Sequence, residues 1–324
     1  MDLSTKTHGS CNLPNSTSTR PLITFALFAY NQEGYIRGAI EGAFAQDYSP
    51  LEIILSDDCS SDKTFDVMRS MVEAYSGNHQ IKLRKNTINL GIGGHVRSVA
   101  EIAAGEIIVM AAGDDISLQN RVTRHADLYL TQPSTYAVFT DSFKFSAAES
   151  PKKAKHWHSN RLSEISRKQI LFGGGGVGMG ATYSYRKDCF LKPYSYPEFF
   201  NSEDRLLPFR ASILGKVIYL PESLVYWRRE LGSISINPDY VKAPLREDYQ
   251  EEIEKNLQAL YDAALITREE FLMLRSEMKR NRIFWSEIGK IHGRSWRERA
   301  VRFFMRMKRN PYNELSRCVF RAFN

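Results

Sequence analysis

The fold class of this 324-residue chain is indicated most clearly by two stretches, Leu51-Glu-Ile-Ile-Leu-Ser-Asp-Asp58 and Glu106-Ile-Ile-Val-Met-Ala-Ala-Gly-Asp-Asp115. Each is a short run of mostly β-branched and aliphatic residues that leads into two adjacent aspartates. Such runs are typical of strands that are buried on both faces of a parallel sheet. Because an open α/β sheet binds its ligand at the carboxyl ends of its strands, we expect both aspartate pairs to meet at that edge.

The sequence around these two strands alternates between strand and helix patterns. Strands separated by helices of this length predict βαβ units and a mostly parallel sheet flanked by helices. The glycines at 91, 93 and 94 predict a turn that leads into a helix ending near Gly105. Further strands are predicted at 22–29, 81–84 and 136–140, and further helices at 33–45, 62–75 and 118–130.

The pattern changes beyond residue 142. Residues 146–162 are polar and basic, which predicts an exposed loop, and the glycine-rich residues 173–180 predict a mobile segment. A second set of elements follows, with strands at 181–185 and 217–225 and a helix at 204–214, and the chain becomes wholly helical after about residue 245. We therefore predict a flexible tail (1–20), a main domain (21–240, with halves 21–142 and 143–240) and a C-terminal helical region (241–324).

The composition limits the setting in which the protein works. The net charge of +7 is concentrated in residues 275–321, which predicts either a solvated helical face or an anionic partner such as a membrane surface. Four scattered cysteines without CxxC spacing argue against a zinc site or a disulfide framework and fit a reducing compartment. Residues 1–20 lack a signal-peptide core, and no apolar run approaches bilayer length. We expect a cytoplasmic protein, at most peripheral on the inner face of the membrane.

The aspartate pairs also indicate a kind of chemistry. Two like charges this close are tolerable in a buried place only beside a cation, a ligand or many hydrogen-bond donors. Mg²⁺ and Mn²⁺ bind oxygen ligands, commonly one or two carboxylates together with substrate phosphates, and Asp114 and Asp115 fit that requirement. For Asp58 the alternative is a contact with a nucleobase or a ribose hydroxyl. The residues thus favour phosphate-ester chemistry, although no dinucleotide fingerprint or P-loop lysine motif is present.

Two later segments carry further charged candidates. Asn201-Ser-Glu-Asp-Arg-Leu-Leu207 reads from its residues as a helix capped by Ser202, with Glu203 and Asp204 in its first turn. Tyr226-Trp-Arg-Arg-Glu-Leu-Gly-Ser-Ile-Ser235 contributes two guanidinium groups, whose fork geometry suits phosphate oxygens.

Residues 21–115 resemble the donor-binding half of family-2 glycosyltransferases, which have the GT-A fold. The likeness rests on several pieces together and extends more thinly to about Ser235. The matching pieces are Phe25-Ala-Leu-Phe-Ala-Tyr-Asn-Gln-Glu-Gly-Tyr-Ile36, Ala45-Gln-Asp-Tyr48, Leu51-Glu-Ile-Ile-Leu-Ser-Asp-Asp-Cys-Ser-Ser-Asp62, Asn89-Leu-Gly91, Gly105-Glu-Ile-Ile108 and Gly113-Asp-Asp115.

The resemblance implies a nucleotide-sugar donor site in the first half of the main domain. Asp114 and Asp115 take the place of the DxD motif, which contacts the ribose and a divalent Mg²⁺ or Mn²⁺ ion. The first acid of that motif is replaced by Ala112 here, so the metal site depends on the two remaining aspartates. The residues implied at the nucleobase are Ala29, Tyr30 and Asp58, with Asn31 nearby.

The same resemblance implies an inverting transfer to an acceptor hydroxyl, with Asp204 as the catalytic base and Glu203 as a supporting acid. Glu230 stands where relatives often carry a histidine near the metal, and is either a third oxygen ligand or a salt-bridged loop residue. Arg228 is expected at the diphosphate. Arg97, together with His95, is either at the diphosphate or part of the start of a helix.

The setting implied by the family is bacterial cell-surface polysaccharide or lipopolysaccharide synthesis, with a UDP-sugar donor and a saccharide or lipid-linked saccharide acceptor. The basic residues 296–308 predict an amphipathic helix that binds anionic lipid or packs on the main domain or on a second subunit. The aromatic residues of 194–200 either stack on sugar rings or pack in the core. Alternatives are a sugar-1-phosphate nucleotidyltransferase and a non-catalytic sugar-nucleotide binder; no nucleic-acid-binding motif is present.

Overall fold

A computed structural model describes residues 20–146, 149–154, 159–172, 178–191, 203–229 and 247–291. Within these residues a single ten-stranded sheet forms the centre of the molecule. Its strands are β1 (Ile23–Ala29), β2 (Leu51–Asp57), β3 (Gln80–Lys85), β4 (Ile107–Ala112), β5 (Ile116–Ser117), β6 (Thr135–Ser146), β7 (Glu149–Ala154), β8 (Ser163–Ile165), β9 (Tyr183–Arg186) and β10 (Lys216–Arg228).

Helices connect most of these strands, and two more follow the last one. They are α1 (Ile36–Phe44), α2 (Thr64–Glu73), α3 (Gly91–Ile102), α4 (Arg121–Thr131), α5 (Arg167–Phe172), α6 (Glu203–Leu214), α7 (Glu247–Asp262) and α8 (Arg268–Ile291). Single 3-10 turns at Gly180–Thr182 and Lys187–Cys189 flank β9.

The strand order is β3-β2-β1-β4-β9-β6-β10-β5, with β7 paired to β6 and β8 paired to β10. The predicted mostly parallel sheet is confirmed, because β1 to β4 are mutually parallel and β10 is parallel to β6. β9 lies antiparallel between β4 and β6.

The order of the strands reverses at β1, which pairs with β2 on one side and with β4 on the other. A crevice opens outside the carboxyl ends of the strands at such a switch point, because the connecting helices leave toward opposite faces. The strands end level with one another there. Ala29 is opposite Asp57 in the β1–β2 register, and Phe28 is opposite Ala112 in the β1–β4 register.

Side chains that alternate along the central strands belong to two hydrophobic clusters, one on each face of the sheet. Phe25 and Leu27 of β1 pack in the cluster that includes residues of α1, α2 and α4. Ala26, which points to the other face, belongs to the cluster that includes residues of α3, α6, α7 and α8. The helices predicted after residue 245 are confirmed over 247–291, and their buried residues share the core of the sheet. Residues 296–308 lie outside the described residues.

Two local predictions are wrong. The glycines at 91–94 lie inside α3, which begins at Gly91, because Asn89 Oδ1 and Asp58 Oδ1 accept hydrogen bonds from the backbone at the helix start. These tertiary contacts outweigh the weak helix propensity of glycine. Residues 149–154 are not loop; they form β7, because β6 continues to Ser146 and offers its edge for antiparallel pairing.

Gly105 is a position where the backbones of two segments approach closely. A methyl group at Gly105 would lie 2.4 Å from the backbone nitrogen of Thr24 in β1, whereas one at Gly34 would meet nothing within 4 Å. We expect Gly105→Ala to lower the free energy of unfolding by about 1–3 kcal/mol through overpacking. Urea unfolding measures this, with Gly34→Ala as the matched control, and equal stabilities of the two variants would contradict the prediction.

Candidate functional site

The loops that follow β1 and β2 are tied to each other at the edge of the sheet. Asn31 N donates to Ser60 Oγ at 2.9 Å, and Ser61 N donates back to Asn31 Oδ1 at the same distance. Gln32 N donates to Thr64 Oγ1 at 2.7 Å. Asn31 has φ 51°, in the left-handed region that asparagine tolerates better than most residues. These bonds hold the loops after β1 and β2 together at this edge of the sheet.

The adjacent aspartates Asp57 and Asp58 have different environments. Asp57 is fully buried and accepts hydrogen bonds from Ser60 N at 2.9 Å and from the Ser60 hydroxyl, so its carboxylate holds the loop after β2. Asp58 N donates to Ala29 O at 2.9 Å, which brings Asp58 beside Ala29 and the exposed Tyr30. The structure therefore gathers Ala29, Tyr30, Asn31 and Asp58, as their predicted shared role requires.

The Asp58 carboxylate is oriented by neighbours from two further segments. Its Oδ1 accepts from Asn86 Nδ2 at 2.6 Å and from Leu90 N at 2.9 Å. Asn86 follows β3 and Leu90 precedes α3, so the end of a second strand and the start of a helix orient this carboxylate. Asn86 could not be singled out from the sequence, because an asparagine after a strand is typical of an ordinary turn.

His95 and Arg97 occupy different surroundings on α3. His95 is buried, with Nε2 2.6 Å from Ser56 Oγ and Nδ1 4.0 Å from Asp58 Oδ2. Burial lowers the pKa of His95 to about 4, so the ring is neutral at pH 7. Arg97 lies on the exposed side of the helix, where its Nε pairs with Glu101 at 2.9 Å. Its contact with a diphosphate stays a prediction.

Asp114 and Asp115 follow β4 at the same edge. Gly113 N donates to Phe28 O at 2.8 Å, which holds the start of this turn on β1. Asp115 is 6% exposed, and its Oδ1 accepts from Arg228 N at 2.9 Å. Burial raises the pKa of Asp114, and burial followed by the charge of Asp114 raises the pKa of Asp115 well above its usual range. The pair is therefore a place where added positive charge is favourable.

Two arginines supply positive charge to this pair. Arg121, at the start of α4, is fully buried and donates to Ser117 Oγ at 2.9 Å and to Met110 O at 2.7 Å. Burial lowers the pKa of Arg121 to about 9, against the opposing effect of Asp115. The Arg228 guanidinium donates to Asp114 O at 3.1 Å. The sequence did not indicate Arg121, since an arginine in a first helical turn is usually solvated.

The Arg228 side chain also lies against two aromatic rings. Its Cζ atom is 4.5 Å from the ring centroid of Tyr35 and 4.5 Å from that of Phe145. A guanidinium between two ring faces is held by cation–π attraction as well as by its hydrogen bond. Arg228, the last residue of β10, is thereby fixed beside the Asp114–Asp115 turn.

The carboxylate oxygens of Asp114 and Asp115 are of the type that binds a divalent cation such as Mg²⁺ or Mn²⁺. Two adjacent carboxylates with raised pKa values gain from a hard cation that restores their ionised form. Within the described ranges, no group of three or more His, Cys, Asp and Glu side chains is gathered as a metal site. Glu230, which is predicted to be either a third oxygen ligand or a salt-bridged loop residue, lies outside those ranges.

Glu203 and Asp204 begin α6 and lie against the 3-10 turn that precedes β9. A methyl group at Gly180 would be 2.9 Å from Glu203 Oε1 and 3.6 Å from Asp204 Cβ, and this turn also contacts β4. Burial, with the neighbouring charge of Asp204, raises the pKa of Glu203 to about 8, and burial raises the pKa of Asp204. The Ser202 cap and the aromatic residues of 194–200 lie outside the described residues.

The solved structures that this chain resembles have the same fold. S. aureus TarS (residues 1–349) matches with a TM-score of 0.58 and 17% identity over 82% of this chain and 73% of that one. A mannosyltransferase from Pyrobaculum calidifontis, solved with GDP-Man and Mn²⁺, matches with a TM-score of 0.52 and 14% identity over 92% and 84% of the two chains. The fold is thus that of the GT-A glycosyltransferases.

The family follows from the sequence. The profile described as Glycosyl transferase family 2 matches residues 24–192, just over half of the chain, and the protein belongs to that family. A curated relative from Escherichia coli is 24% identical over 67% of this chain and 80% of its own length. That relative is WfaP, a UDP-Glc:alpha-D-GlcNAc-diphosphoundecaprenol beta-1,3-glucosyltransferase. In the described part of this chain, no helix has the length and apolar composition to cross a bilayer.

The raised pKa of Asp115 predicts a pH-dependent gain in stability on removing its charge. Because the folded state binds the proton more tightly, ionisation of Asp115 costs stability, and this cost grows as the pH rises above the usual aspartate pKa of about 3.9. We expect Asp115→Asn to raise the melting temperature at pH 7 by a few degrees, and the gain to shrink toward pH about 4.

Thermal unfolding without nucleotide or divalent cation measures this effect. Asp188→Asn, at an exposed aspartate, is the control and should leave the melting temperature unchanged. A lower melting temperature of Asp115→Asn at pH 7 would mean that Arg121 and Arg228 already compensate the buried charge, contrary to the prediction.

Proposed function

We propose that this protein is an inverting glycosyltransferase that moves a sugar from a UDP-sugar to an acceptor hydroxyl in cell-surface polysaccharide or lipopolysaccharide synthesis. The observation that carries the proposal is that Asp58 and the pair Asp114 and Asp115 follow strands that end on either side of β1, at the switch point of a GT-A sheet. Family membership and the UDP-glucose named for WfaP support the reaction class and the donor. The inverting outcome follows from the family resemblance.

The nucleoside would bind over the loops after β1 and β2. Asp58 Oδ1 accepts hydrogen bonds from Asn86 and Leu90, whereas Oδ2 accepts none from the described residues and faces His95 Nδ1 at 4.0 Å. An uncommitted carboxylate oxygen suits an N–H donor of a base, such as the single ring N–H of uracil. The exposed Tyr30 ring beside it offers a surface on which a base can stack.

The diphosphate would bind between the Asp114–Asp115 turn and Arg228. A divalent Mg²⁺ or Mn²⁺ ion held by these two aspartates would neutralise the charge that develops on the leaving diphosphate. Arg228 serves the same end of the donor from the side of β10, because its guanidinium is held in place by Tyr35, Phe145 and the Asp114 carbonyl. Fixed positive charge of this kind stabilises the transition state without reorganising.

Asp204 is assigned as the base. The acceptor hydroxyl oxygen attacks the anomeric carbon, the bond from that carbon to the diphosphate oxygen breaks, and the nucleoside diphosphate leaves with the electron pair. The hydroxyl proton passes to the Asp204 carboxylate. Burial raises the pKa of Asp204, which makes its carboxylate a stronger base than an exposed one, and Glu203 supports it.

The acceptor is proposed to be a saccharide, either free or linked to a lipid. WfaP is named for an acceptor carried on diphosphoundecaprenol, and such a lipid places its saccharide at a membrane surface. The basic C-terminal residues 275–321 would draw a cytoplasmic enzyme to the anionic inner face of the membrane. A homo-oligomer through the same region is the other arrangement that its composition allows.

Replacement of the base is the sharpest test of the mechanism. Asp204→Asn keeps the shape of the side chain but cannot accept the proton, so we expect the transfer rate to fall by roughly 10²–10⁴-fold with donor affinity nearly unchanged. Because the base must be ionised and its pKa is raised, the wild-type rate should fall on the acid side at a pH above the usual aspartate value. Product formation and calorimetric donor titration measure the two effects, and substantial residual transfer would remove Asp204 from the role.

A donor panel tests the nucleotide and metal assignments together. We expect UDP-sugars to raise the melting temperature more than GDP- or dTDP-sugars, and Mn²⁺ to increase the shift, because ligands that bind only the folded state stabilise it. Asp115→Ala should remove the increment due to Mn²⁺, whereas Asp188→Ala should retain it. A shift that is unaffected by chelator in the wild type would count against the cation, and no shift with any sugar nucleotide would overturn the proposed function.

A further inference from the structure

Helix α6, which carries Glu203 and Asp204, contains a proline in its interior. Pro208 has no backbone N–H, so the carbonyl of Asp204 lacks the hydrogen bond that the helix would otherwise supply. The first turn of α6 is therefore held less firmly by the helix itself than in an uninterrupted helix. Its position depends more strongly on how the following turns pack.

Those following turns are anchored by a buried arginine. Arg210 is fully buried and lies six positions after Asp204, about 9 Å along the helix. Its Nε donates to Asn256 Oδ1 at 2.8 Å, its Nη2 donates to the same oxygen, and its Nη1 donates to Cys189 O at 3.2 Å. A guanidinium that has left water needs such acceptors, since an unpaired buried charge is strongly destabilising.

Asn256 belongs to the C-terminal helix α7 and is itself fixed. It is fully buried, and its Nδ2 donates to Glu252 O at 2.8 Å and to Glu252 Oε1 at 3.0 Å. Ile253, Leu257 and Leu260 of α7 lie in the same hydrophobic cluster as residues of α6. The amide oxygen is thus presented to Arg210 by a helix that lies about 50 residues further along the chain and outside the matched family region.

We propose that Asn256 and Arg210 are positioning residues, through which the C-terminal helix α7 holds α6 so that the Glu203–Asp204 pair is placed for transfer. This inference rests on the proposed function, because it assigns α7 a part in the same site. Neither residue touches the reacting atoms; both act through the placement of the acid pair. The C-terminal region is then required for turnover, whether or not it binds a membrane.

The test uses the full chain and three variants. Asn256→Leu removes both polar functions at similar size. Asn256→Asp, made together with Glu252→Gln so that no second carboxylate faces it, keeps the acceptor oxygen for Arg210. Gln258→Leu makes the matched amide-to-leucine change on the exposed side of α7. We expect Asn256→Leu to lower kcat at least tenfold with the donor KM and the UDP dissociation constant changed less than twofold. Asn256→Asp with Glu252→Gln should restore kcat to within about threefold, and Gln258→Leu should match the wild type.

The pH profile separates positioning from general destabilisation. If the acid pair loosens in Asn256→Leu, water reaches it and the acid limb of the kcat profile moves to lower pH, since burial is what raises these carboxyl pKa values. If Asn256 only stabilised the fold, Asn256→Leu would lower the melting temperature and the donor affinity together, and the acid limb of its kcat profile would stay at the wild-type pH. That result would overturn the inference.

A further variant covers the case in which Asn256→Leu does not fold. Arg210→Met combined with Asn256→Leu replaces both buried partners by apolar residues, which can be nearly neutral for stability. We expect this double variant to fold and to bind UDP, but to have a kcat as low as that expected for Asn256→Leu. If Asn256→Leu or the double variant turned over at the wild-type rate, this inference would be overturned and the proposed function would stand. If the wild-type protein transferred no sugar from any sugar nucleotide, both the proposed function and this inference would be overturned.

Discussion

Burial of adjacent carboxylates is the constraint on which the edge of the sheet depends. Asp114 and Asp115 both have raised pKa values, and each charge left uncompensated there would cost stability. The chain meets this cost with Arg121 from α4 and with Arg228 from the end of β10. Because these arginines come from elements far apart in the sequence, the aspartate charges are compensated only when α4 and β10 pack against the turn after β4.

The same logic explains why the two aspartates after β2 differ. Asp57 accepts two hydrogen bonds from Ser60 and so fixes a loop, whereas Asp58 is oriented by Asn86 and has an Oδ2 atom that accepts no hydrogen bond from the described residues and faces His95 at 4.0 Å. Their residue type is identical and their positions are adjacent, so only the surroundings separate a structural carboxylate from a candidate for ligand binding. A side chain that is already held in one orientation loses less conformational entropy when a ligand binds.

Long-range contacts also position charged residues outside the region that matches the family. The match ends at residue 192, whereas the acid pair of α6 and the helix that anchors it lie after that point. Leu257 of α7 and Leu207 of α6 share one cluster with Tyr219 of β10, so the second half of the sheet and the C-terminal helices form a common core. Apolar burial of this kind transmits a shift in one helix to the other.

The alternation of strands and helices, the parallel arrangement around β1 and the placement of both aspartate pairs at strand ends could all be predicted from the amino-acid sequence. Those features depend on local periodicity and run length, which are visible in any short window of the chain. Other features became visible only in the folded chain: α3 begins at Gly91, β9 runs antiparallel between β4 and β6, β7 is a strand, and Arg121 and Asn86 face the aspartates. Those outcomes join residues distant along the chain, and their partners are selected by burial and hydrogen bonding that no local pattern encodes.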